Sequence, residues 1–387
     1  MSAKKLGQYF TTSEDLQNTI ISFIKNKPHT ILEPSFGKGN LVPKLLEKFP
    51  NVQIQAYEID KSLKPIENAK SDRINIIYKD FLIQEINRKF FTIIGNPPYV
   101  KTSTGNLYIK FIEKCINILK DNGELIFIVP SDFLKITSAQ KIIKNMIEQG
   151  SFTDIYFPHK EKLFEGASID VMIFRYKKTY KTNRIKINNK NMYSHFSNGI
   201  LTFHETPNLN VNLLKDFFNI YVGMVSGKES VFKNDLGNIL ILNEKNITNK
   251  YILITEFPCD DDNINNYLLK HKNTLMERKI KKMTEKNWFQ WGALRNIKSI
   301  KDNLGKPCIY ITTLTRKKEI AFKGTVQFFG AKLICLVPKT KINLDNIVDF
   351  LNTDMFKENY IYSGRFKIGH KQISNATIST RHIQEIL

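Results

Sequence analysis

Along the first half of the chain, short apolar runs alternate with stretches whose apolar positions recur three and four residues apart. The runs at His29–Pro34, Val52–Tyr57, Ile74–Tyr78, Thr92–Ile94, Leu125–Val129, Asp154–Phe157 and Ile169–Tyr176 predict strands. Between them, Leu16, Ile20, Phe23 and Ile24 predict one helical face, and Leu41, Leu45 and Leu46 a second. Leu107, Phe111, Cys115 and Leu119 predict a third, with a further helix over Ile136–Ile147. Leu125–Val129 is apolar at every position, as expected of a strand covered on both faces. This alternation predicts an α/β fold with a doubly wound, mostly parallel, seven-stranded Rossmann-like sheet. The polar, basic stretch 176–184 is the expected domain boundary. It gives a first domain of residues 1–178 and a second, α+β, of 179–387.

The ends of the strands carry the chemistry. Three in succession finish in an acid, Glu33, Glu58 and Asp80. A Gly37-Lys38-Gly39 turn follows the first, where a ligand can approach the backbone closely. It is no phosphate-binding loop, because the Gly-Lys-Ser/Thr ending is absent. Glu58, about twenty residues after the turn, suits the two hydroxyls of a ribose. Asp80 can accept from the amine of an adenine, with Ile59 and Phe81 on the two faces of its ring. Helix-capping acids are the plain alternative for Glu58 and Asp80. Three in a row point to a bound nucleoside.

The next strand stops at Gly95 and runs into Asn96-Pro97-Pro98-Tyr99. Two prolines stiffen the backbone and hold one amide, one carbonyl and one aromatic face at the strand's carboxyl end. That set suits the exocyclic amine of a planar base. The Asn96 oxygen and the Pro97 carbonyl can each accept one N–H, which frees the nitrogen lone pair. Tyr99 can stack on the ring, a contact worth roughly 1–3 kcal/mol.

Composition narrows the class. Hydrophobic content of 42% and aromatic content of 11% over 387 residues describe a folded chain long enough for two domains. The net charge is +21, two thirds of it beyond residue 178, which points to a polyanionic partner. The polar start Met1–Lys5 is no signal peptide, and no apolar run approaches the ~20 residues that span a bilayer. The four cysteines form no metal-ligand pattern. A soluble, cytoplasmic, metal-free monomer is expected.

In the second half, basic and aromatic residues interleave in three places, around Trp288–Asn296, Leu314–Lys318 and Ser363–Gln372. Trp288, Trp291, Arg295, Arg316, Lys317, Arg365, Lys367, His370 and Lys371 are the expected nucleic-acid contacts, reading base edges or gripping phosphate. For any one of them a surface loop anchored by buried tryptophans is the plain alternative.

Residues 1–178 resemble the amino-methylating DNA methyltransferases that use S-adenosylmethionine, in the TaqI-type (gamma) motif order. The matching segments are Gly7–Thr11, Leu32–Gly39, Tyr57–Asp60, Lys79–Phe81 and Asn96–Tyr99, with Asn106-Leu107-Tyr108 and Phe164 at similar spacing. Thr12 departs from the pattern, where proline is frequent. The resemblance implies S-adenosyl-L-methionine as cofactor, held by Tyr9, Phe10, Thr11, Glu33, Pro34, Gly37, Gly39, Glu58, Ile59, Asp80, Phe81 and Asn96. It places Glu33 near the methionine end, Glu58 on the ribose and Asp80 on the adenine amine. It implies that Asn96 and Pro97, stiffened by Pro98, hold the target amine while Tyr99 and Phe164 stack on a flipped base. The implied activity is N6 methylation of adenine in double-stranded DNA, of a restriction-modification type. Asn rather than Ser before the prolines favours adenine over cytosine N4, and the same turn could present an RNA base or a protein glutamine. The second-half stretches are similar to the target-recognition domains of this group.

Overall fold

The computed structural model describes residues 9–102, 105–134, 136–158, 171–197, 199–204, 207, 212–362 and 365–378. The chain forms two compact units that divide after residue 209.

In the first unit the elements run α1 (Glu14–Ser22), β1 (Thr30–Glu33), α2 (Val42–Lys48), β2 (Gln53–Tyr57), β3 (Ile74–Ile77) and β4 (Phe90–Gly95). Then come α3 (Leu107–Ile118), β5 (Leu119–Pro130), α4 (Gln140–Gln149), β6 (Gly150–Tyr156) and β7 (Val171–Lys178). They are followed by β8 (Arg184–Ile187), β9 (Lys190–Ser197) and β10 (Ile200–His204). The sheet order is β3-β2-β1-β4-β5-β7-β6-β8-β9-β10. Strands β3 to β5 are mutually parallel, and β7 is inserted antiparallel to both of its neighbours.

The sheet corrects two expectations. All seven expected strands are present as β1 to β7, but three more, β8 to β10, extend the sheet to ten and carry it past residue 178. The basic stretch 176–184 lies inside the first unit, its residues 179–183 turning the chain from β7 into β8, which returns to pair with β6, Lys186 against Asp154. Charged residues on these strands occupy exposed positions while Ile185, Leu201 and Phe203 face the core. Alternation of that kind is what a half-covered sheet edge requires.

Helices cover both faces of the central strands. Leu125, Phe127 and Val129 of β5 pack in the cluster that holds α3 and α4, while Ile126 and Ile128 pack with Leu16 and Ile20 of α1 and Leu45 of α2. The uniform apolarity of β5 is thus the period-two signature of a doubly covered strand. Midway along it Glu124, fully buried, accepts from Arg175 Nε at 2.8 Å, Thr92 Oγ1 at 3.1 Å and the Lys25 and Asn26 amides. A buried carboxylate with every lone pair engaged anchors the C-terminal end of α1 to the sheet.

The second unit contains a four-stranded antiparallel sheet, β11 (Phe218–Val222), β12 (Pro307–Thr312), β13 (Ala321–Thr325) and β14 (Leu333–Pro338), in the order β11-β14-β12-β13. The amphipathic helix α5 (Leu344–Asn352), N-capped by Asn343, packs on it through Ile347, Phe350 and Leu351. Among the described residues, no helix is long and apolar enough to cross a membrane, and no group of three or more His, Cys, Asp or Glu could hold a metal.

Candidate active site

The strand order reverses at β1, which lies between β4 and β2. Open α/β sheets bind ligands at the carboxyl ends of the strands there. A cleft of about 240 Å³ occupies that position. It is lined by Tyr9, Phe10 and Thr11, by Glu33, Pro34 and Gly37 after β1, and by Glu58 and Ile59 after β2. Asp80 and Phe81 after β3, Asn96 and Pro98 after β4, and Leu107 and Phe111 of α3 also line it. The acids of three strand ends and the amide of a fourth therefore share one cavity.

The Gly turn and the acids hold each other. Gly37 has φ +59° and Gly39 +76°, conformations that disfavour any side chain. A Cβ at Gly39 would stand 2.5 Å from the Phe36 ring, so Gly39 serves packing behind the wall and does not line the cleft. The Gly37 N–H donates to Glu58 at 2.7 Å, and the Asp60 N–H donates to its other oxygen at 2.8 Å. Burial still pushes the Glu58 carboxyl up from its ordinary value against these bonds. Asp80 spends one oxygen on the Leu82 N–H at 2.9 Å, capping the short turn Phe81–Ile83. Phe81 is buried, stacked on Phe111 at 5.3 Å, whereas Ile59 stays 55% exposed.

Glu33 is the anomaly. It is fully buried, and its Oε2 has no hydrogen-bond partner. Burial first, and the nearby Glu58 second, push its pKa well above the ordinary range. A buried orphan carboxylate oxygen facing a cleft is a site for a cation. The amino group of a methionine moiety fits it, and the exposed Ile59 beside Glu58 on the cleft wall fits the face of a nucleoside base.

Asn96 is held from the N-terminal side. Its Nδ2 donates to the Tyr9 carbonyl at 2.7 Å and to Thr11 Oγ1 at 3.1 Å, and its Oδ1 accepts from the Tyr99 hydroxyl. The same hydroxyl lies 3.2 Å from the Ile128 carbonyl, so the two acceptors share its one proton. Pro97 is buried and Tyr99 half-buried, and neither lines the cleft. Tyr9 stacks on Tyr99 at 5.4 Å with 22° between planes, so one face of the Tyr99 ring is covered. The expected partner Phe164 lies outside the described residues, as do Gly7 and Gln8.

Sequence reasoning passed over Phe111, Asn40 and Lys114. The first two line the cleft. Lys114 of α3 donates to the carbonyls of Phe81, Leu82 and Gln84, and its ammonium lies 4.9 Å from the Phe81 ring centroid. It staples the turn after β3 to α3. A lysine on a helix carries no sequence signal for such a role.

Residues 38–164 match the family described as Eco57I restriction-modification methylase. Type II methyltransferase M.HincII of Haemophilus influenzae is 32% identical over 206 residues, 48% of this chain and 39% of that one. The match thus spans about two fifths of that relative's length. Ribosomal RNA small subunit methyltransferase A of Aster yellows witches'-broom phytoplasma is 37% identical over 110 residues, 26% of this chain and 40% of that one. The solved structure of the Type IIL restriction-modification enzyme MmeI in complex with DNA covers 94% of this chain and 63% of that one, with a TM-score of 0.56 at 10% identity. The last is a likeness of fold. The architecture is an α/β, Rossmann-like, mostly parallel sheet with an α+β region added at the C-terminal side.

In that added region the expected nucleic-acid contacts separate into two groups. Trp288 and Trp291 are 2% and 4% exposed, and the Trp291 indole donates to the Ile252 carbonyl at 2.8 Å. They are core residues, which corrects their expected place on the surface. The buried Arg278 guanidinium donates to the carbonyls of Ser226, Leu275, Trp288 and Gln290 and fixes the loop that carries them. Arg295, Arg316, Lys317, Arg365, Lys367, His370 and Lys371 are exposed. Two of the three basic stretches are brought side by side, Leu314 opposite Lys367 and Thr315 opposite Phe366 in an antiparallel pair. Phe366 points into the core, leaving Arg365 and Lys367 outside.

Proposed function

We propose that the chain is a site-specific DNA methyltransferase that transfers a methyl group from S-adenosylmethionine to the N6 amine of a flipped adenine. The observation that carries this reading is that Asn96 opens into the same cleft as Glu33, Glu58 and Asp80. A nucleobase amine at Asn96 and a nucleoside cofactor on the acids would then meet within one cavity. The match to the Eco57I restriction-modification methylases and to M.HincII supports DNA as substrate, and the charge excess beyond residue 178 supports a nucleic-acid partner.

In this reading Glu33 takes the cofactor's ammonium, Glu58 its ribose and Asp80 its adenine amine. Bound S-adenosylmethionine supplies an electrophilic methyl on a sulfonium. The chain's own part is positioning and polarisation: Asn96 Oδ1 accepts one N–H of the base amine, so that its lone pair is available in line, and the carbonyl of Pro97, a buried residue outside the cleft wall, would take the second on the family resemblance. Flipping the base costs a few kcal/mol of stacking and pairing. Arg316, Lys317, Arg365 and Lys367 contribute the phosphate and base contacts of the second unit.

The test is Asn96→Ala. Methyl transfer to DNA is expected to be lost while adenosylhomocysteine binding stays within a few-fold. Base-modification mapping of DNA treated with the intact protein is expected to yield N6-methyladenine at one sequence. N4-methylcytosine, or transfer only to RNA, would overturn the substrate assignment, and normal turnover by Asn96→Ala would overturn the site.

A further inference from the structure

The Asn96 amide has two unlike ends, and the fold decides which one meets a substrate. The Tyr9 carbonyl can only accept, so the group 2.7 Å from it is the NH₂ end. The second N–H of that group is taken by Thr11 Oγ1 at 3.1 Å. Both donors are thus engaged on one side, and Oδ1 is turned to the other, where it accepts from the Tyr99 hydroxyl and keeps a second lone pair for a substrate. The terminal torsion of an asparagine is otherwise soft and roughly two-fold. An amide turned by half a revolution would present N–H to an amine, donor against donor.

Thr11 is itself fixed. It is 4% exposed, and its carbonyl accepts from Gln17 Nε2 at 2.7 Å. Gln17 lies on α1, whose first turn is capped by the Ser13 hydroxyl. A short relay therefore runs from α1 through Gln17 and Thr11 to Asn96.

We propose that Thr11 is a positioning residue for methyl transfer, its hydroxyl holding the Asn96 amide with the oxygen toward the nucleobase amine. The proposal rests on the reading of Asn96 given above. It assigns the Thr11 hydroxyl to the target-amine side of the site, whereas the sequence resemblance places Thr11 with the cofactor.

The experiment uses the full chain with Thr11→Val, Thr11→Ser and Gln17→Met. Adenosylhomocysteine affinity is read by calorimetry, and single-turnover methyl transfer by enzyme in excess over unmethylated plasmid DNA at saturating S-adenosylmethionine. Thr11→Val is expected to slow single-turnover transfer about tenfold, the worth of one buried hydrogen bond. Its cofactor affinity is expected to stay within twofold. Thr11→Ser is expected to recover the rate, and Gln17→Met to slow it by a smaller factor even if Thr11→Val does not fold. A wild-type transfer rate in Thr11→Val overturns the proposal, as does a loss that lies wholly in cofactor affinity. If Asn96→Ala itself turns over normally, the reading of the site fails instead.

Discussion

The Glu58 carboxylate accepts the Gly37 N–H at 2.7 Å, which joins the turn after β1 to the end of β2. Gly37 can aim its N–H there because its φ is +59°, and a Cβ would also press on the Phe10 ring at 3.3 Å. On the proposed function, Glu58→Ala and Gly37→Ala should each weaken adenosylhomocysteine binding by at least about tenfold, since the first removes the ribose acid and the second strains the turn whose N–H orients it. Calorimetry measures it. An unchanged affinity in Glu58→Ala would remove Glu58 from the cofactor site.

Glu33 predicts a pH dependence. Its pKa in the folded protein lies above the ordinary 4.5, so the native state holds the proton more tightly than the unfolded chain. The associated stability is complete below the ordinary carboxyl range and is lost as pH rises through 4.5 toward the raised value. Relative to Glu33→Gln, the wild-type Tm should therefore fall as pH is raised through that window. Binding a cofactor ammonium requires the ionised form, so binding below the raised pKa should release a proton. Calorimetry in buffers of different ionisation enthalpy reads that release, and none in either wild type or variant would discard the ion pair.

Lys114 is expected to matter for the cofactor without touching it. Lys114→Met leaves three carbonyls of the Phe81–Gln84 turn without their donor. Each such loss costs ~1–3 kcal/mol where water cannot replace it. Adenosylhomocysteine affinity should fall about tenfold while DNA binding in a gel-shift assay stays unchanged. Equal loss of both would point to general unfolding.

Arg278 predicts the opposite separation. Arg278→Met strips the donor from four carbonyls in the second unit and should destabilise that unit by ~3 kcal/mol or more. Scanning calorimetry should show the second-unit transition moving down while adenosylhomocysteine binding by the first unit is retained. A wild-type thermogram would show that the loop holds without it.

DNA affinity should fall steeply with salt, with a slope of about −0.9 for each phosphate neutralised. Arg365→Ala and Lys367→Ala should each flatten that slope by about one if they grip phosphate. A side chain that reads a base edge would instead relax the mapped recognition sequence.

The strands and helices of the first unit stand close to where the sequence pattern puts them. Leu107–Ile118 is helical as its i, i+4 stripe requires, and β5 is doubly covered as its unbroken apolar run requires. The local chemistry of the cleft is equally legible, because Gly37, Glu58, Asp80 and Asn96 each sit at the end of a recognisable strand. Their meeting follows from the parallel arrangement, which brings successive carboxyl ends to one rim.

The charge and aromatic patterns of the second half misled in part. Trp288 and Trp291 look like a nucleic-acid surface because tryptophan beside arginine reads the same whether the ring faces out or in. The tertiary structure turned both rings inward and gave the surface to Arg316, Lys317, Arg365 and Lys367.

What the sequence determined by itself is what depends on neighbours within a few residues: the period of burial, the stiff proline turn, the left-handed glycines and the acids at strand ends. Only the tertiary structure decided which way the Asn96 amide faces, that Tyr9 covers Tyr99, that Lys114 holds the Phe81 turn and that β8 to β10 extend the sheet. Each of these depends on a hydrogen bond, ring contact or strand pairing between segments that the chain brings together only by folding, and no local pattern encodes such a partner.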